Sequence, residues 1–244
     1  MQIAVFTLFK RLPVAILIML AAGCDVNSQN DPKAIIEQLD IAAPSGKYVN
    51  DPTHSTLQFS LSHLGLSNYI ARFSDYSVEM SLKADEIAAS TVIVDINSQL
   101  IKTDYRGDYK FTHPKSSFDS WEEDLAFSEK FFNATVYPRI IFKSSKVTYS
   151  PNGDLRISGN LTLLGQTRPV VLSGKIIGSI AKHPFTESGA IGFSVSGTFE
   201  RSSFGMDFLL DPPLIGDEVT VTYEGEMLQV PQFSDSQVKS TDKQ

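Results

Sequence analysis

Short runs in which every second residue is apolar recur along most of the chain and predict β-strands. In one run, Leu57, Phe59 and Leu61 alternate with polar residues, and a period of two places the apolar side chains on one face of a strand. Turn signals such as Pro-Asn-Gly-Asp at 151–154 separate such runs. About eight short strands at hairpin spacing indicate an antiparallel β-sandwich or β-barrel. The other runs include Val92 and Val94, Ile140 and Phe142, Leu155 and Ile157, Leu161 and Leu163, Val170 and Leu172, Ile191 and Phe193, and Val219 and Val221.

One segment departs from this alternation and predicts a short helix over residues 120–132. Ser120 and Glu123 have the spacing of a capping box. Trp121, Leu125 and Phe132 then fall on one side of the helix. We expect this helix to pack on the β-structure or across one of its ends. We interpret Trp121 as an anchor for that packing rather than as a platform for a ligand.

The first residues of the chain predict an export signal. Lys10 and Arg11 precede an apolar run of 11 residues, Leu12–Ala22. A membrane-spanning helix needs about 20 apolar residues, whereas the apolar part of a secretory signal needs about 7–15 and ends at small residues. The small residues Ala21 to Gly23 follow this second pattern, and Cys24 comes next.

Cys24 is the only cysteine, so it cannot form an internal disulfide and has no partner thiols for a zinc site. Its position resembles the lipobox of bacterial lipoproteins, although Ala21 stands where a leucine is commoner. The resemblance implies cleavage after residue 23, acylation of Cys24, and attachment to the periplasmic face of a bacterial membrane. Asp25 resembles a signal for retention at the inner membrane. The alternative is an ordinary signal peptide with an incidental cysteine.

Composition limits the partners of the remaining chain. Loss of residues 1–23 would remove Lys10 and Arg11 and take the formal net charge from −7 to −9. An acidic protein repels nucleic-acid phosphates and gains nothing from anionic lipids. We expect a tether at 24–47, containing a short helix at 32–41 capped by Asp31, and a polar, disordered tail at 230–244. The domain between them spans residues 48–229.

Five stretches occur in the order that is typical of the YceI family, so the chain resembles this family over about 180 residues. The first contains an Asp, a His-Ser pair and a His-Leu-Gly sequence. Departures are Asn133, where the family usually has an aspartate, and a longer segment at 101–120, which would cap or reshape a barrel mouth. The five stretches are YVNDPTHSTLQFSLSHLGLS (48–67), FFNATVYPRIIFKSSKV (131–147), GNLTLLGQTRPVVL (159–172), RSSFGM (201–206) and IGDEVTV (215–221).

The resemblance implies an eight-stranded antiparallel lipocalin-like barrel that carries a long isoprenoid or fatty acyl chain. Such a barrel is just wide enough to be filled by side chains or to hold one small ligand. The candidate head-group contacts are His63 and Arg201, although we favour a structural corner over a head-group contact as the role of Arg201. The candidate lining residues, which would otherwise be plain barrel core, are Phe59, Leu61, Phe73, Val92, Val94, Phe142, Leu161, Leu163, Phe193 and Phe199.

The sequence offers few signals for chemistry, so we expect neither an enzyme nor a bound metal or cofactor. The four histidines, His54, His63, His113 and His183, do not form a short pair of the kind that binds zinc. GFSVSG at 192–197 is not a nucleophile elbow, because Ser196 occupies the wrong position. We interpret His54 as stabilising a turn after Asp51, and His63 as a core or cavity histidine.

Two functions remain open from the sequence. The first is a membrane-tethered protein that binds a polyisoprenoid, an isoprenoid quinone or a fatty acyl chain inside the barrel. The second is a structural protein of the cell envelope with a filled barrel, which would contact a partner through the segment at 101–120. Members of the YceI family can be dimers, so a homodimer is possible for either function.

Overall fold

A computed structural model describes residues 40–150, 152–211 and 214–231. The predicted signal segment, Cys24, residues 32–39 of the helix expected at 32–41, and the tail from residue 232 onward lie outside these residues. The last two residues of that expected helix, Asp40 and Ile41, are described and are not helical. The strands are β1 (Gly46–His63), β2 (Ser67–Phe73), β3 (Tyr76–Leu82), β4 (Thr91–Asn97), β5 (Ile101–Thr103), β6 (Arg139–Tyr149), β7 (Asp154–Leu163), β8 (Gln166–Ile180), β9 (Ala190–Glu200) and β10 (Ile215–Gln229). The α-helices are α1 (Tyr109–Thr112) and α2 (Trp121–Phe127).

These strands close into an eight-stranded antiparallel barrel, as predicted. The sheet order is β10-β9-β8-β7-β6-β4-β3-β1, and β10 pairs again with β1 to complete the circle. β2 and β3 occupy one position of the barrel, because β2 pairs with the second half of β1 and β3 with its first residues. β4 and β5 likewise occupy the next position, because β4 pairs with β3 and β5 pairs with β2. Ten assigned strands therefore fill eight positions.

Two backbone hydrogen bonds join the interrupted strands at their breaks. The amide of Ser74 donates to the carbonyl of Leu100 at 3.0 Å, and the amide of Asn97 donates to the carbonyl of Asp75 at 3.0 Å. The breaks therefore leave the wall connected.

The two ends of the barrel differ. At the end that we call the mouth, β1 finishes at His63, β7 turns into β8, and α2 lies beside β5. At the other end, which we call the closed end, Tyr48, Leu82 and Met227 are almost completely buried. The Tyr48 hydroxyl there donates to the carbonyl of Pro44 at 2.6 Å, which fixes the chain just before β1. β1 itself begins at Gly46, two residues inside the segment that we assigned to the tether.

The predicted helix at 120–132 is present but ends at Phe127. The hydroxyl of Ser120 caps it by accepting from the amide of Glu123 at 3.2 Å. After Ser128 the chain turns back, and the amides of Phe132 and Ala134 donate to carbonyls of the helix. Phe132 is buried, as its apolar spacing indicated, but from a turn rather than from the helix. Within the described residues, no helix combines the length and apolar composition needed to cross a membrane.

Candidate functional site

A cavity of about 810 Å³ occupies the mouth half of the barrel. Inward-facing side chains of the strands form its walls, and α2 with the turn after it covers one side. Its lining is almost entirely apolar, because alternate residues of each strand point inward and these positions are Phe, Leu, Val and Ile. The exposed residues His63, Leu64 and Leu209 belong to the same lining, so the cavity reaches the surface at the mouth.

A smaller cavity of about 100 Å³ lies in the closed half of the barrel. It extends towards Leu82, Ile87 and Met227, and its lining is also apolar. Five residues line both cavities and form a ring between them, which we call the central ring. The two cavities therefore follow one another along the barrel axis, as a long apolar chain would require. The central ring consists of Leu57, Val94, Phe142, Leu172 and Val221.

All twelve residues that the sequence suggested for ligand contact line one or both of these cavities. Val92 and Phe193 line only the smaller cavity, and Val94 and Phe142 line both. Contact with a ligand stays a prediction for each of them. The residues that line only the larger cavity are Phe59, Leu61, His63, Phe73, Leu161, Leu163, Phe199 and Arg201.

His63 lies at the mouth, where it is exposed. It has the inward parity that the sequence indicated, but it is the last residue of β1 and extends past the packed part of the barrel. It is therefore a cavity histidine but not a core histidine.

Arg201 forms a buried corner between the end of β9 and the start of β10. The residue is 3% exposed. It donates from Nε to the carbonyl of Gly216 at 2.8 Å, from Nη1 to that of Met206 at 2.7 Å, and from Nη2 to that of Ile215 at 2.8 Å. Burial lowers the pKa of the guanidinium group, although the charge of Asp217 opposes this. These bonds support a structural role for Arg201 at this corner, and its contact with a ligand head group stays a prediction.

Aromatic side chains from distant parts of the chain gather around Trp121 at the mouth. The Trp121 Nε1 donates to the Tyr69 hydroxyl at 2.7 Å. The ring of Phe131 meets the indole edge-on at 5.6 Å between centroids, and that of His113 stacks on it at 5.8 Å. Tyr69, Tyr105, His113, Trp121 and Phe131 all line the cavity. Trp121 therefore anchors α2 and also lines the cavity, although the sequence favoured the first of these roles over the second.

Sequence reasoning missed the contributions of Tyr69, Tyr105 and His113 to this cluster. Tyr105 and His113 belong to the long segment at 101–120, which was expected to cap a mouth, but no periodic pattern marks either residue. On β2, Tyr69 precedes the exposed Ile70, so the two side chains point to opposite faces of the strand. This position in the strand was the one signal that Tyr69 points inward.

A few polar groups lie among the apolar ones at the mouth. The Tyr109 hydroxyl donates a hydrogen bond to Asp124. Burial raises the pKa of Tyr109, and the carboxylate of Asp124 raises it further. The Lys130 Nζ lies 4.8 Å from the centre of the Phe208 ring. Asp124, Lys130 and Phe208 all line the cavity. The arrangement suits a ligand with a long apolar part inside the barrel and a small polar part at the mouth.

One cluster outside the cavities has the residue types of a metal site. The ligand atoms of Asp51, His54 and Glu226 all lie within 4.8 Å of one another. However, the carboxylate of Asp51 accepts from the amide of Thr53 at 2.7 Å and from its hydroxyl at 2.6 Å, and it bonds His54 Nδ1 at 2.8 Å. These bonds hold the irregularity in β1 between Asn50 and Ser55, so His54 fixes a local bend, as the sequence suggested.

The hydrogen bonds of this cluster also change its titration. Those from His54 and Thr53 lower the pKa of Asp51 to about 2, and the bond to Asp51 raises the pKa of His54. The carboxylate and the imidazole therefore favour the charged forms of each other.

Comparison with known proteins gives a consistent result. A sequence model of the YceI-like domain matches residues 48–227. A UPF0312 protein of Vibrio cholerae is 30% identical over 178 residues, which cover 72% of this chain and 86% of the relative. A UPF0312 protein of Shewanella putrefaciens is 30% identical over 187 residues, which cover 76% of this chain and 90% of the relative.

Solved structures share the fold. The crystal structure of BcnA from Burkholderia cenocepacia superimposes with a TM-score of 0.59 at 16% identity, over 74% of this chain and 99% of that one. The YceI protein of Campylobacter jejuni gives a TM-score of 0.54 at 25% identity, over 70% of this chain and 90% of that one. The barrel is therefore common to proteins that differ from this chain at most positions.

Proposed function

Because the chain belongs to the family of YceI-like domains, we propose that it is a binding protein that carries a long apolar ligand inside its barrel. The observation that supports this most strongly is the cavity of about 810 Å³ with its apolar lining. The ligand classes that fit are a polyisoprenoid, an isoprenoid quinone and a fatty acyl chain. Each has a long hydrocarbon part and a small, more polar end.

The energetic basis for binding is the removal of hydrocarbon from water. Each Å² of apolar surface that is buried contributes about 25 cal/mol, and the cavity offers apolar contacts along most of its length. Polar groups are concentrated at the mouth, where Asp124 and Lys130 would face the head group. The alternative of a filled barrel that acts only through its surface does not fit a cavity of this size.

We extend the proposal to the location of the protein. Cys24 would be acylated after removal of residues 1–23, and the acyl chains would hold the barrel at the periplasmic face of a bacterial membrane. More than one acyl chain gives firm attachment, whereas a single chain binds reversibly. The inner membrane is favoured by Asp25. This location would keep the barrel close to the bilayer, where apolar ligands of these classes dissolve.

The first experiment is native mass spectrometry of residues 25–244, exported to the periplasm and purified without detergent. We expect additional mass that is lost on denaturation and that extracts into organic solvent, which would also identify the ligand. A protein that shows only its own mass, even after incubation with isoprenoid quinones, polyisoprenols and fatty acids, would overturn the proposal.

The anchor is tested separately by fractionating cells that express the full chain or its Cys24→Ala variant. After an alkaline carbonate wash, which releases proteins held only at the bilayer surface, we expect the parent in the membrane fraction and the variant outside it. Attachment of Cys24→Ala that survives this wash would contradict the lipid anchor. It would leave the binding function to be judged by mass spectrometry alone.

A further inference from the structure

Large apolar side chains point into solvent around the mouth of the barrel. The exposed fractions are 47% for Leu64, 83% for Leu66, 83% for Phe111 and 37% for Leu209. We call these four residues the mouth rim. Leu64 and Leu209 also line the larger cavity, so the apolar surface of the rim continues directly into the cavity. Phe111 lies on α1, between the cavity-lining residues Tyr105 and His113.

The backbone at two rim positions is unfavourable for leucine. Leu64 has a φ of 55° and is followed by Gly65 with a φ of 65°, in a tight turn closed by the bond from the Leu66 amide to the His63 carbonyl at 3.0 Å. Turns of this kind favour Asn-Gly. Leu209 also has a positive φ, of 56°. Neither leucine is buried, so burial in the fold does not account for a bulky apolar residue at these positions.

We propose that the mouth rim docks onto the surface of a lipid bilayer, so that an apolar ligand passes between the bilayer and the cavity without crossing water. This inference rests on the proposed binding function, and it adds where and how the ligand is exchanged. The ligand would have to leave through the mouth, and the rim places at that opening side chains that gain free energy by entering the hydrocarbon boundary of a membrane.

Charge indicates which kind of lipid surface the rim would meet. The formal net charge of the chain is −7, so attraction to anionic head groups does not drive the contact. Insertion of apolar side chains works equally well with zwitterionic lipids. We therefore expect the rim to bind vesicles of phosphatidylcholine, without a requirement for anionic lipid.

The length of chain between Cys24 and the barrel allows the mouth rim to contact the membrane that holds Cys24. β1 begins at the closed end with Gly46 and runs to the mouth. Its 18 residues span about 60 Å along the strand at about 3.3 Å per residue, or about 45 Å along the barrel axis for the usual strand tilt of about 35–45°. Because Ala42 and Pro44 are held at the closed end, the segment that can extend runs from Cys24 to Asp40, with a maximum reach of about 55 Å at 3.3–3.6 Å per residue. A barrel held at Cys24 is therefore within reach of turning its mouth to the same bilayer.

The closed end provides the control, because it also exposes apolar residues. Phe185, between β8 and β9, is 90% exposed, and Ile177 is 67% exposed. Neither residue lines the cavities found in the described part of the chain. If exposed apolar side chains were enough for membrane contact, the closed end would bind as well as the mouth.

The test measures which end meets the bilayer. In the full chain with Cys24→Ser, single cysteines are introduced as Leu66→Cys or Phe185→Cys and labelled with an environment-sensitive fluorophore. Phosphatidylcholine vesicles with and without a spin-labelled quencher lipid are then added. We expect the label at position 66 to be quenched at least twofold more strongly than the label at position 185. Equal quenching, or stronger quenching at position 185, would overturn the proposal.

A second measurement follows transfer of a pyrene-labelled fatty acid from the full chain to these vesicles. We expect the double variant Leu66→Ser/Phe111→Ser to transfer the fatty acid at least fivefold more slowly, with an unchanged equilibrium Kd, whereas Phe185→Ser transfers it at the parental rate. An unchanged transfer rate in the double variant would overturn membrane docking. Failure of the parent to bind any fatty acid or isoprenoid would instead count against the proposed function, and the quenching at position 66 remains measurable in that case.

Discussion

The indole Nε1 of Trp121 donates a hydrogen bond to the hydroxyl of Tyr69 at 2.7 Å. This bond joins the first residue of α2 to β2, 52 positions earlier in the chain. Both side chains line the larger cavity, and burial raises the pKa of Tyr69. The contact therefore fixes the helix that covers the mouth, and it places the only tryptophan of the chain against the site.

Tyr69→Phe removes this acceptor and leaves the half-buried indole N–H without its partner. We expect the free energy of unfolding to fall by about 1–2 kcal/mol, measured by urea denaturation. The control is Tyr76→Phe, on β3 and outside the linings of both cavities, which should lower the free energy of unfolding by less.

The fluorescence emission of Trp121 should shift to shorter wavelength when an apolar ligand binds, because hydrocarbon replaces water beside the indole. Emission that does not respond to a ligand detected by mass spectrometry would show that the ligand lies elsewhere.

Val94→Phe should limit the length of ligand that the barrel accepts. Val94 belongs to the central ring and pairs with Phe142 on the neighbouring strand, so a larger side chain would narrow the passage between the two cavities. In the parent, each additional buried methylene contributes about 0.8 kcal/mol, or roughly fourfold in affinity. We expect affinity to rise with chain length in both proteins, and to stop rising at a shorter chain in the variant.

The control for this series is Ile93→Phe. Ile93 is the preceding residue on β4 and is 43% exposed on the outer face of the barrel. The added ring there should leave the dependence on chain length as in the parent. Fatty acids of increasing length, measured by calorimetric titration, provide the comparison. The same plateau in both variants would contradict a ligand that extends through the central ring.

Asp51 and His54 predict a defined dependence of stability on pH. The pKa of Asp51 is about 2 in the folded protein, against an ordinary 3.8, so its contribution is present above about pH 4 and is lost as the pH falls towards 2. The pKa of His54 is raised, so its contribution is complete below its ordinary value of 6.5 and is lost as the pH rises through the folded value. The pair should therefore stabilise the barrel most near pH 5.

Asp51→Asn isolates this effect. We expect it to lower the free energy of unfolding by about 1–2 kcal/mol at pH 5, by less at pH 8, and by about a third of the pH 5 value at pH 2.5, where the folded-state carboxylate is partly protonated. Asp85→Asn, at an exposed carboxylate, should show little change at any of the three values. NMR titration of the imidazole should give a lower His54 pKa in Asp51→Asn than in the parent. A loss of stability in Asp51→Asn that is the same at all three pH values would show that the charged pair is not its cause.

The sequence predicted the wall of the barrel better than its ends, for a physical reason. Alternation depends on neighbours two residues apart, so it correctly indicated that Phe59 and Phe142 face inward. The end of α2 at Phe127 depends on hydrogen bonds from residues that return to it, and the contact of Tyr69 with Trp121 depends on the closed fold. His63 shows what alternation cannot predict. The inward direction of its side chain followed from the alternation along β1, but its exposure depends on where the barrel ends.

The β1–β2 turn offers a prediction in which a substitution raises stability. Leu64 has a φ of 55°, and a left-handed conformation costs a residue such as leucine roughly 1–2 kcal/mol. Asparagine tolerates this conformation and is preferred before glycine in such turns. Because Leu64 is 47% exposed, its replacement gives up little burial. We therefore expect Leu64→Asn to raise the free energy of unfolding by about 0.5–1 kcal/mol.

The β7–β8 turn supplies a matched comparison, since Leu164 has a φ of 48° and Gly165 a φ of 72°. Leu164 differs from Leu64 in that it is half-buried and packs against the core. In Leu164→Asn the relief of backbone strain should be offset by lost apolar burial, so we expect no gain in stability by urea denaturation. If both variants gained equally, backbone strain alone would explain the two turns. A gain confined to Leu64→Asn, together with slower ligand transfer to vesicles, would mean that the exposed leucine is retained for contact with the bilayer at the expense of stability.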